Sequence, residues 1–156
     1  MIKSPKRVLL GILASSLSVV LLSSTLTSAS AASSETTKYI AMAKKLGVTE
    51  AKLINRYSNV TGTNYTDDYT LYAAVEKLIP DVNNFINKLE ASTPSNTKLR
   101  NLHRIWVKGW NKQAEGMMLV LAALDAQDYG VMAKANAALA SGRATLSQFS
   151  SAFRKL

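Results

Sequence analysis

Apolar residues beyond position 66 recur every three or four positions, and this α-helical period constrains the fold more than any other feature of the chain. It appears in three separate segments. The first stripe consists of Leu71, Val75, Leu78, Val82, Phe85 and Leu89. The second consists of Leu99, Trp106, Trp110, Met117, Leu121 and Leu124. The third consists of Met132, Ala135, Leu139, Gly142, Leu146, Phe149, Phe153 and Leu156. No segment alternates with a period of two for long enough to indicate a strand, so we predict an all-α protein.

Residues that start and stop helices divide the chain into two short and three long helices. We predict these helices at 34–46, 50–58, 67–91, 95–126 and 129–155. Gly47 is expected to end the first of them, and residues 61–65 are expected to form a polar loop. Because Pro80 has no N–H to bond to the Glu76 carbonyl, we expect a kink in the third helix.

Three polar residues are expected to cap the long helices. Thr66, Thr93 and Asp128 each precede a predicted helix, where a side-chain oxygen can accept a hydrogen bond from a first-turn N–H. Pro94 is also well suited to a first helical position. The turn at Gln127 and Asp128 is too short for anything but an antiparallel hairpin. We therefore predict an antiparallel bundle of three to four helices with a long C-terminal helical hairpin, the two short helices covering one end.

The first 31 residues have the composition of a secretion signal. They begin with three basic residues, Lys3, Lys6 and Arg7. An apolar stretch follows at residues 8–22, and residues 29–31 read Ala-Ser-Ala, as signal peptidase requires. The apolar stretch is shorter than the roughly 20 residues that span a membrane. We predict a cleaved signal at 1–31 and a single domain at 32–156 that is secreted, with association to the cell wall as one of its locations.

Composition narrows the chemistry of the secreted domain. The chain has no cysteine, which excludes disulfides, thiolate metal sites and a cysteine nucleophile. Its net charge of +9 falls to +6 when the three basic residues of the signal are removed. A moderate positive charge fits affinity for anionic wall polymers or lipid headgroups, and it equally fits plain solubility. An exported, cysteine-free chain rich in Lys, Ser, Thr and Asn is typical of a Gram-positive bacterium.

Four basic residues recur every four positions on the helix predicted at 95–126. They are Arg100, Arg104, Lys108 and Lys112, here called the basic row. At 100° per residue, the row lies on the side opposite Trp106, Trp110 and Met117. Like charges at this spacing repel by a few tenths of a kcal/mol per pair.

Two interpretations of the basic row stay open. It is either an anion-binding ridge or a solvated helix face, for which Glu76, Asp81 and Glu90 on the neighbouring helix are optional ion-pair partners. We expect no nucleic acid ligand, because the chain is predicted to be exported and no aromatic residue interleaves with the row.

Met117 and Met118 begin an apolar run that continues to Leu124. A helix with one side in water should not be apolar all round, so other helices cover this run or it forms an oligomer or partner contact. We favour burial within the molecule. Trp106, Trp110, Met117 and Met118 are therefore candidate core or contact residues.

No residue pattern predicts an enzyme. The single histidine, His103, has no second strong ligand nearby, so we interpret it as a packed residue rather than a haem or metal ligand. The chain lacks a glycine-rich phosphate loop, a nucleophile elbow and a metal-spaced His/Glu pair. We predict no catalytic residues, no cofactor and no metal.

About a third of the chain, residues 102–149, resembles helical hairpins of uncharacterised exported proteins of Gram-positive bacteria. The resemblance is carried by His103, Gly109, Gln113, Gly116, Leu124, Asp128, Ala135, Asn136, Leu139, Gly142, Leu146 and Phe149. It implies a helical hairpin and export, and no activity.

Together these features predict a secreted, non-enzymatic helical protein that acts as a binding or structural module at the cell envelope or in the medium, docking on anionic surfaces. Its expected partner is an anionic wall polymer or a lipid surface, while a protein partner or a homo-oligomer stays open. Two alternatives belong to other classes. One is a membrane-active or toxin-like protein that inserts apolar helix faces into lipid. The other is a carrier that holds an apolar ligand between its helices.

Overall fold

The computed structural model describes residues 34–156, and within that range the chain is helical, with no strand. Its helices are α1 (Ser34–Ser58), α2 (Asp68–Ala91), α3 (Thr97–Ala126) and α4 (Tyr129–Phe153). A short 3₁₀ helix, Gly62–Asn64, lies between α1 and α2. The all-α prediction is confirmed. The predicted signal at 1–31 lies outside the described residues.

Contacts between helices give an up-down-up-down arrangement. Arg56, near the end of α1, pairs with Asp81 in the middle of α2 at 2.5 Å. Glu35, at the start of α1, accepts a hydrogen bond from the Asn96 N–H just before α3, at 2.8 Å. These two contacts make α1 and α2 antiparallel. The most extensive helix contact is between α3 and α4, which form the predicted C-terminal hairpin.

Close approach of α3 and α4 depends on glycines at their contact. A Cβ placed on Gly109 would lie 2.6 Å from Leu146 Cδ2, and one on Gly116 would lie 2.5 Å from Leu139 Cγ. Both distances are far below van der Waals contact, so a side chain larger than glycine would have to displace the facing leucine. This hairpin fixes the orientation of α3 in the molecule.

The hairpin turn contains a residue in the left-handed region. Gln127 has φ 51° and ψ 40°, and it ends α3. Asp128 then caps α4, its side chain accepting hydrogen bonds from Gly130 N at 2.7 Å and Val131 N at 3.2 Å. The prediction of an Asp128 cap is confirmed.

The prediction of two short helices before residue 60 is wrong. α1 runs without interruption from Ser34 to Ser58, through Gly47. A glycine inside a helix costs about 1 kcal/mol relative to alanine. That cost is offset because Ala43 and Leu53, on either side of Gly47, are both buried in the core.

Two predicted caps are also wrong. Asp67, not Thr66, caps α2, with its carboxylate accepting from Thr70 N at 2.8 Å. Asn96, not Thr93, caps α3, and its side chain accepts from the backbone N–H of Lys98 and Leu99. The Thr93 hydroxyl instead donates to the Glu90 carbonyl at 2.8 Å, closing the end of α2. The helix α2 continues through Pro80.

Aromatic side chains fill the centre of the bundle. Trp106 of α3 stacks on Phe149 of α4, with ring centres 4.6 Å apart and planes 8° from parallel. Phe85 of α2 meets Trp110 edge to face at 5.0 Å. Such pairs contribute about 0.5–1.5 kcal/mol beyond the area that they bury. In residues 34–156, none of the helices combines the length and the apolar character needed to cross a membrane.

Candidate anion-binding groove

A groove of about 440 Å³ runs along the outer side of α3 and past the end of α2. All four residues of the basic row line it. The other lining residues are Glu90, Thr93, His103, Val107, Asn111 and Glu115. The helix that carries the row also supplies the core, because Trp106 and Trp110 on its opposite side are each only 1% exposed.

Local hydrogen bonds hold the two ends of the basic row. The Arg100 guanidinium donates from Nε to the Pro94 carbonyl at 3.2 Å and from Nη2 to the Ser95 carbonyl. At the other end, Lys112 Nζ donates to the Glu115 carboxylate at 2.6 Å. Arg100 is bonded to neutral carbonyls but lies near the Glu35 carboxylate, whose pKa it helps to lower, and Lys112 is partly neutralised by Glu115.

The two middle residues of the row have no such partner. Arg104 and Lys108 are exposed and form no ion pair with any residue of 34–156. Glu76, Asp81 and Glu90 on the neighbouring helix form no ion pair with either of them. Asp81 pairs instead with Arg56 of α1. The centre of the groove therefore carries two positive charges about one helical turn apart, neither of which is in a direct ion pair with a described residue.

His103 lines the groove as a buried, neutral side chain. Its Nε2 lies 2.7 Å from the Leu89 carbonyl oxygen, and its Nδ1 lies 3.4 Å from the Tyr39 hydroxyl. A carbonyl can only accept, so Nε2–H donates to Leu89 and Nδ1 accepts from Tyr39. Burial lowers the pKa of His103, which keeps the ring uncharged at neutral pH. Both ring nitrogens are engaged, and His103 joins α1, α2 and α3.

Among residues 34–156, no cluster of three or more His, Asp or Glu side chains has the arrangement to hold a metal ion. The chemistry that the groove offers is that of cations and amide or hydroxyl groups, which bind anions. Arginine adds a planar set of donors that matches carboxylate and phosphate oxygens.

Glu50 is a half-buried polar residue that the sequence did not single out. Its Oε1 accepts hydrogen bonds from Trp110 Nε1 at 2.8 Å and from Trp106 Nε1 at 3.2 Å. Burial raises the pKa of Glu50, and the two indole hydrogen bonds oppose that rise. The partners are 56 and 60 positions away in the chain, so no local pattern could reveal them.

The remaining candidate residues divide between core and surface. Trp106, Trp110 and Met117 are buried in the core. Met118 is 52% exposed, so it lies on the surface. The apolar run from Met117 to Leu124 is thus covered by the bundle on one side and open to solvent on the other.

No family model, curated protein or solved structure matches this chain.

Proposed function

We propose that the protein is an exported, non-enzymatic binding module that docks on anionic groups of the cell envelope through the groove on α3. The observation that carries the proposal is the pair Arg104 and Lys108, which lie in the middle of that groove without a carboxylate partner among residues 34–156.

Energetics supports an anionic ligand. Charges of one sign at this helical spacing destabilise the free protein by a few tenths of a kcal/mol per pair. An anion placed between them removes that repulsion and gains charge-assisted hydrogen bonds. Arg100 and Lys112 extend the positive groove on either side.

The predicted secretion signal at residues 1–31 supports the choice of ligand. It would carry the groove to a location where wall polymers and lipid headgroups supply the anions. A basic groove on an exported helical protein needs no catalytic group to serve there.

A salt titration tests the proposal. The purified protein is mixed with cell walls or anionic vesicles, and the bound fraction is measured as salt rises from about 50 to 500 mM, over which screening strengthens. Binding should fall as salt rises. The double variant Arg104→Gln/Lys108→Gln should bind about tenfold more weakly at low salt, equivalent to about 1.4 kcal/mol.

A matched control separates the groove from overall charge. Lys44→Gln/Lys134→Gln removes two exposed cations from α1 and α4, the same change in net charge. That variant should bind like the unmodified protein. Equal loss in both variants, or no binding to any anionic surface, would contradict the proposal. Salt-resistant binding with release of dye from loaded vesicles would indicate the membrane-active class instead.

A further inference from the structure

The charges of the basic row follow a spiral around α3 and do not lie on one flat surface. Successive residues of the basic row are four positions apart, so each step rises about 6 Å and the row spans about 18 Å. Each step also turns about 40° around the helix, so Arg100 and Lys112 point in directions about 120° apart. A flat surface cannot meet both ends of such a row with equal contact, whereas a flexible chain can follow it.

The ends of the row are also restrained. Arg100 is tied to the carbonyls of Pro94 and Ser95, and Lys112 is tied to Glu115. These contacts keep the two side chains from swinging round to a common plane. The carbonyl contacts of Arg100 also order that side chain before the ligand arrives, which lowers the entropy that binding must overcome, whereas Glu115 competes with the ligand for Lys112.

Two carboxylates in the groove oppose a densely charged ligand. Glu90 lines the groove near one end, and Glu115, whose side chain is 48% exposed, lines it near the other. A bilayer of anionic lipid would press negative charge against both. A single flexible chain can instead place its neutral linkers beside the two carboxylates.

The lining also disfavours nucleobases. Among the described residues that form the groove, there is no Phe, Tyr or Trp on which a base could stack. The imidazole of His103 is buried and held by two hydrogen bonds, so it offers no free ring face.

Resting on the proposed anion-binding function, we infer that the ligand of the groove is a linear polyol phosphate, a phosphodiester polymer without bases, bound with one phosphate per turn of α3. A three-carbon polyol linker separates successive phosphates by a distance comparable to the rise between residues of the basic row. Arg104 and Lys108 then bind two neighbouring phosphates, and Arg100 and Lys112 bind the phosphates beyond them.

A length series tests this inference. The dissociation constants of glycerol phosphate oligomers with one, two, four and eight phosphates are measured by calorimetry at fixed low salt. Affinity should rise by about tenfold or more from one phosphate to four, as linked contacts add, and should change little from four to eight. Arg104→Gln/Lys108→Gln should abolish this dependence on length, while Lys98→Gln, a cation on α3 outside the groove, should preserve it.

Glu115→Gln should increase the affinity for the oligomer, whereas the Arg104→Gln/Lys108→Gln variant should lower it. The Glu115→Gln change removes a carboxylate that competes with the ligand for Lys112, so the four-phosphate oligomer should bind several-fold more tightly. Both Lys112 and Glu115 are partly exposed, so the folded state should tolerate the change, as circular dichroism would verify.

The outcomes separate this inference from the proposed function. Binding that depends on Arg104 and Lys108 but not on oligomer length would overturn the inference and leave the anion-binding function standing. Tighter binding to anionic vesicles, or equally tight binding to single-stranded DNA of equal phosphate content, would also overturn it. No binding to any of these probes would overturn both.

Discussion

At the residue scale, Glu50 shows how a half-buried carboxylate is held at the edge of the core. Its carboxylate accepts both indole N–H groups of α3, so the polar edges of Trp106 and Trp110 are satisfied inside the bundle. Burial makes the ionised form costly and raises the pKa of Glu50. The hydrogen bonds of Glu50 thus link α1 to α3, but ionisation of its carboxylate lowers the stability of the fold.

The pH dependence of this contribution has a definite sign. The pKa of Glu50 is raised in the folded protein. Its stabilising contribution to the free energy of unfolding is therefore fully present below the ordinary pKa of 4.5 and is lost as the pH rises through the raised pKa. Glu50→Gln keeps an oxygen acceptor without the charge, so at about pH 7 its free energy of unfolding should exceed that of the unmodified protein. The difference should shrink as the pH falls, which urea unfolding at several pH values would measure.

Glu50→Ala removes the acceptor altogether. Leaving buried indole N–H groups without partners should lower the free energy of unfolding by about 1–3 kcal/mol at neutral pH. Tryptophan fluorescence during urea unfolding reports on the affected rings directly. If Glu50→Gln and Glu50→Ala lowered the free energy of unfolding equally, the hydrogen bonds to Oε1 would not stabilise the fold.

At the element scale, the close contact of α3 with α4 orients the groove. The glycines at positions 109 and 116 let α4 approach one side of α3, which leaves the basic row on another side in solvent. The turn between the two helices is held by the Asp128 cap, whose side chain accepts two first-turn N–H bonds. The hairpin is therefore the framework that positions the basic row.

Gly116→Ala should destabilise the hairpin. The added Cβ would lie 2.5 Å from Leu139 Cγ, and overpacking of this kind costs about 1–3 kcal/mol. Gly47→Ala is the matched control, because a Cβ there meets no atom within 4 Å. That variant should gain about 0.5–1 kcal/mol from better helix propensity. Thermal unfolding of both variants should show opposite shifts, and an unchanged or higher melting temperature for Gly116→Ala would contradict the close contact.

Gln127→Gly should stabilise the turn. Gln127 has φ 51°, a conformation that costs a residue with a Cβ about 1–2 kcal/mol. Glycine adopts it freely but loses more entropy on folding, so the net gain should be up to about 1 kcal/mol. An unchanged or lower melting temperature would show that the Gln127 side chain makes up for the strain.

The helices were predictable from sequence to the extent that their signals are local. The apolar stripes gave α2, α3 and α4 nearly to their ends, and Asp128 was identified as a cap. The predicted helix end at Gly47 was wrong because the burial of Ala43 and Leu53 outweighs the tendency of glycine to end a helix. That burial depends on helices distant in the sequence. Asn96 was missed because Thr93 and Pro94 offered a stronger local start signal.

The candidate site was predictable only in part. The four-residue spacing placed the basic row on one side of α3, opposite the tryptophans. Which of its charges are paired depends on neighbours that the sequence does not bring together. Asp81 is taken by Arg56, and Lys112 by Glu115, and these pairings single out Arg104 and Lys108.

At the scale of the whole molecule, α3 divides two environments. One side faces the core, where Trp106 stacks on Phe149 and donates a hydrogen bond to Glu50. The other side lines the groove with positive charge. A ligand bound in the groove therefore acts on a helix held by all three of its neighbours, so binding should proceed without large rearrangement.

The most direct test of the account is to map the bound surface on the folded protein. Backbone amide chemical shifts are recorded while a glycerol phosphate oligomer of four phosphates is added at low salt. If the ligand binds in the groove, the chemical shift changes should concentrate on α3 from Arg100 to Glu115 and at Thr93, and residues of α4 should be unchanged. Shifts spread over the lysines of α1 and α4, with none centred on Arg104 and Lys108, would contradict binding in the groove.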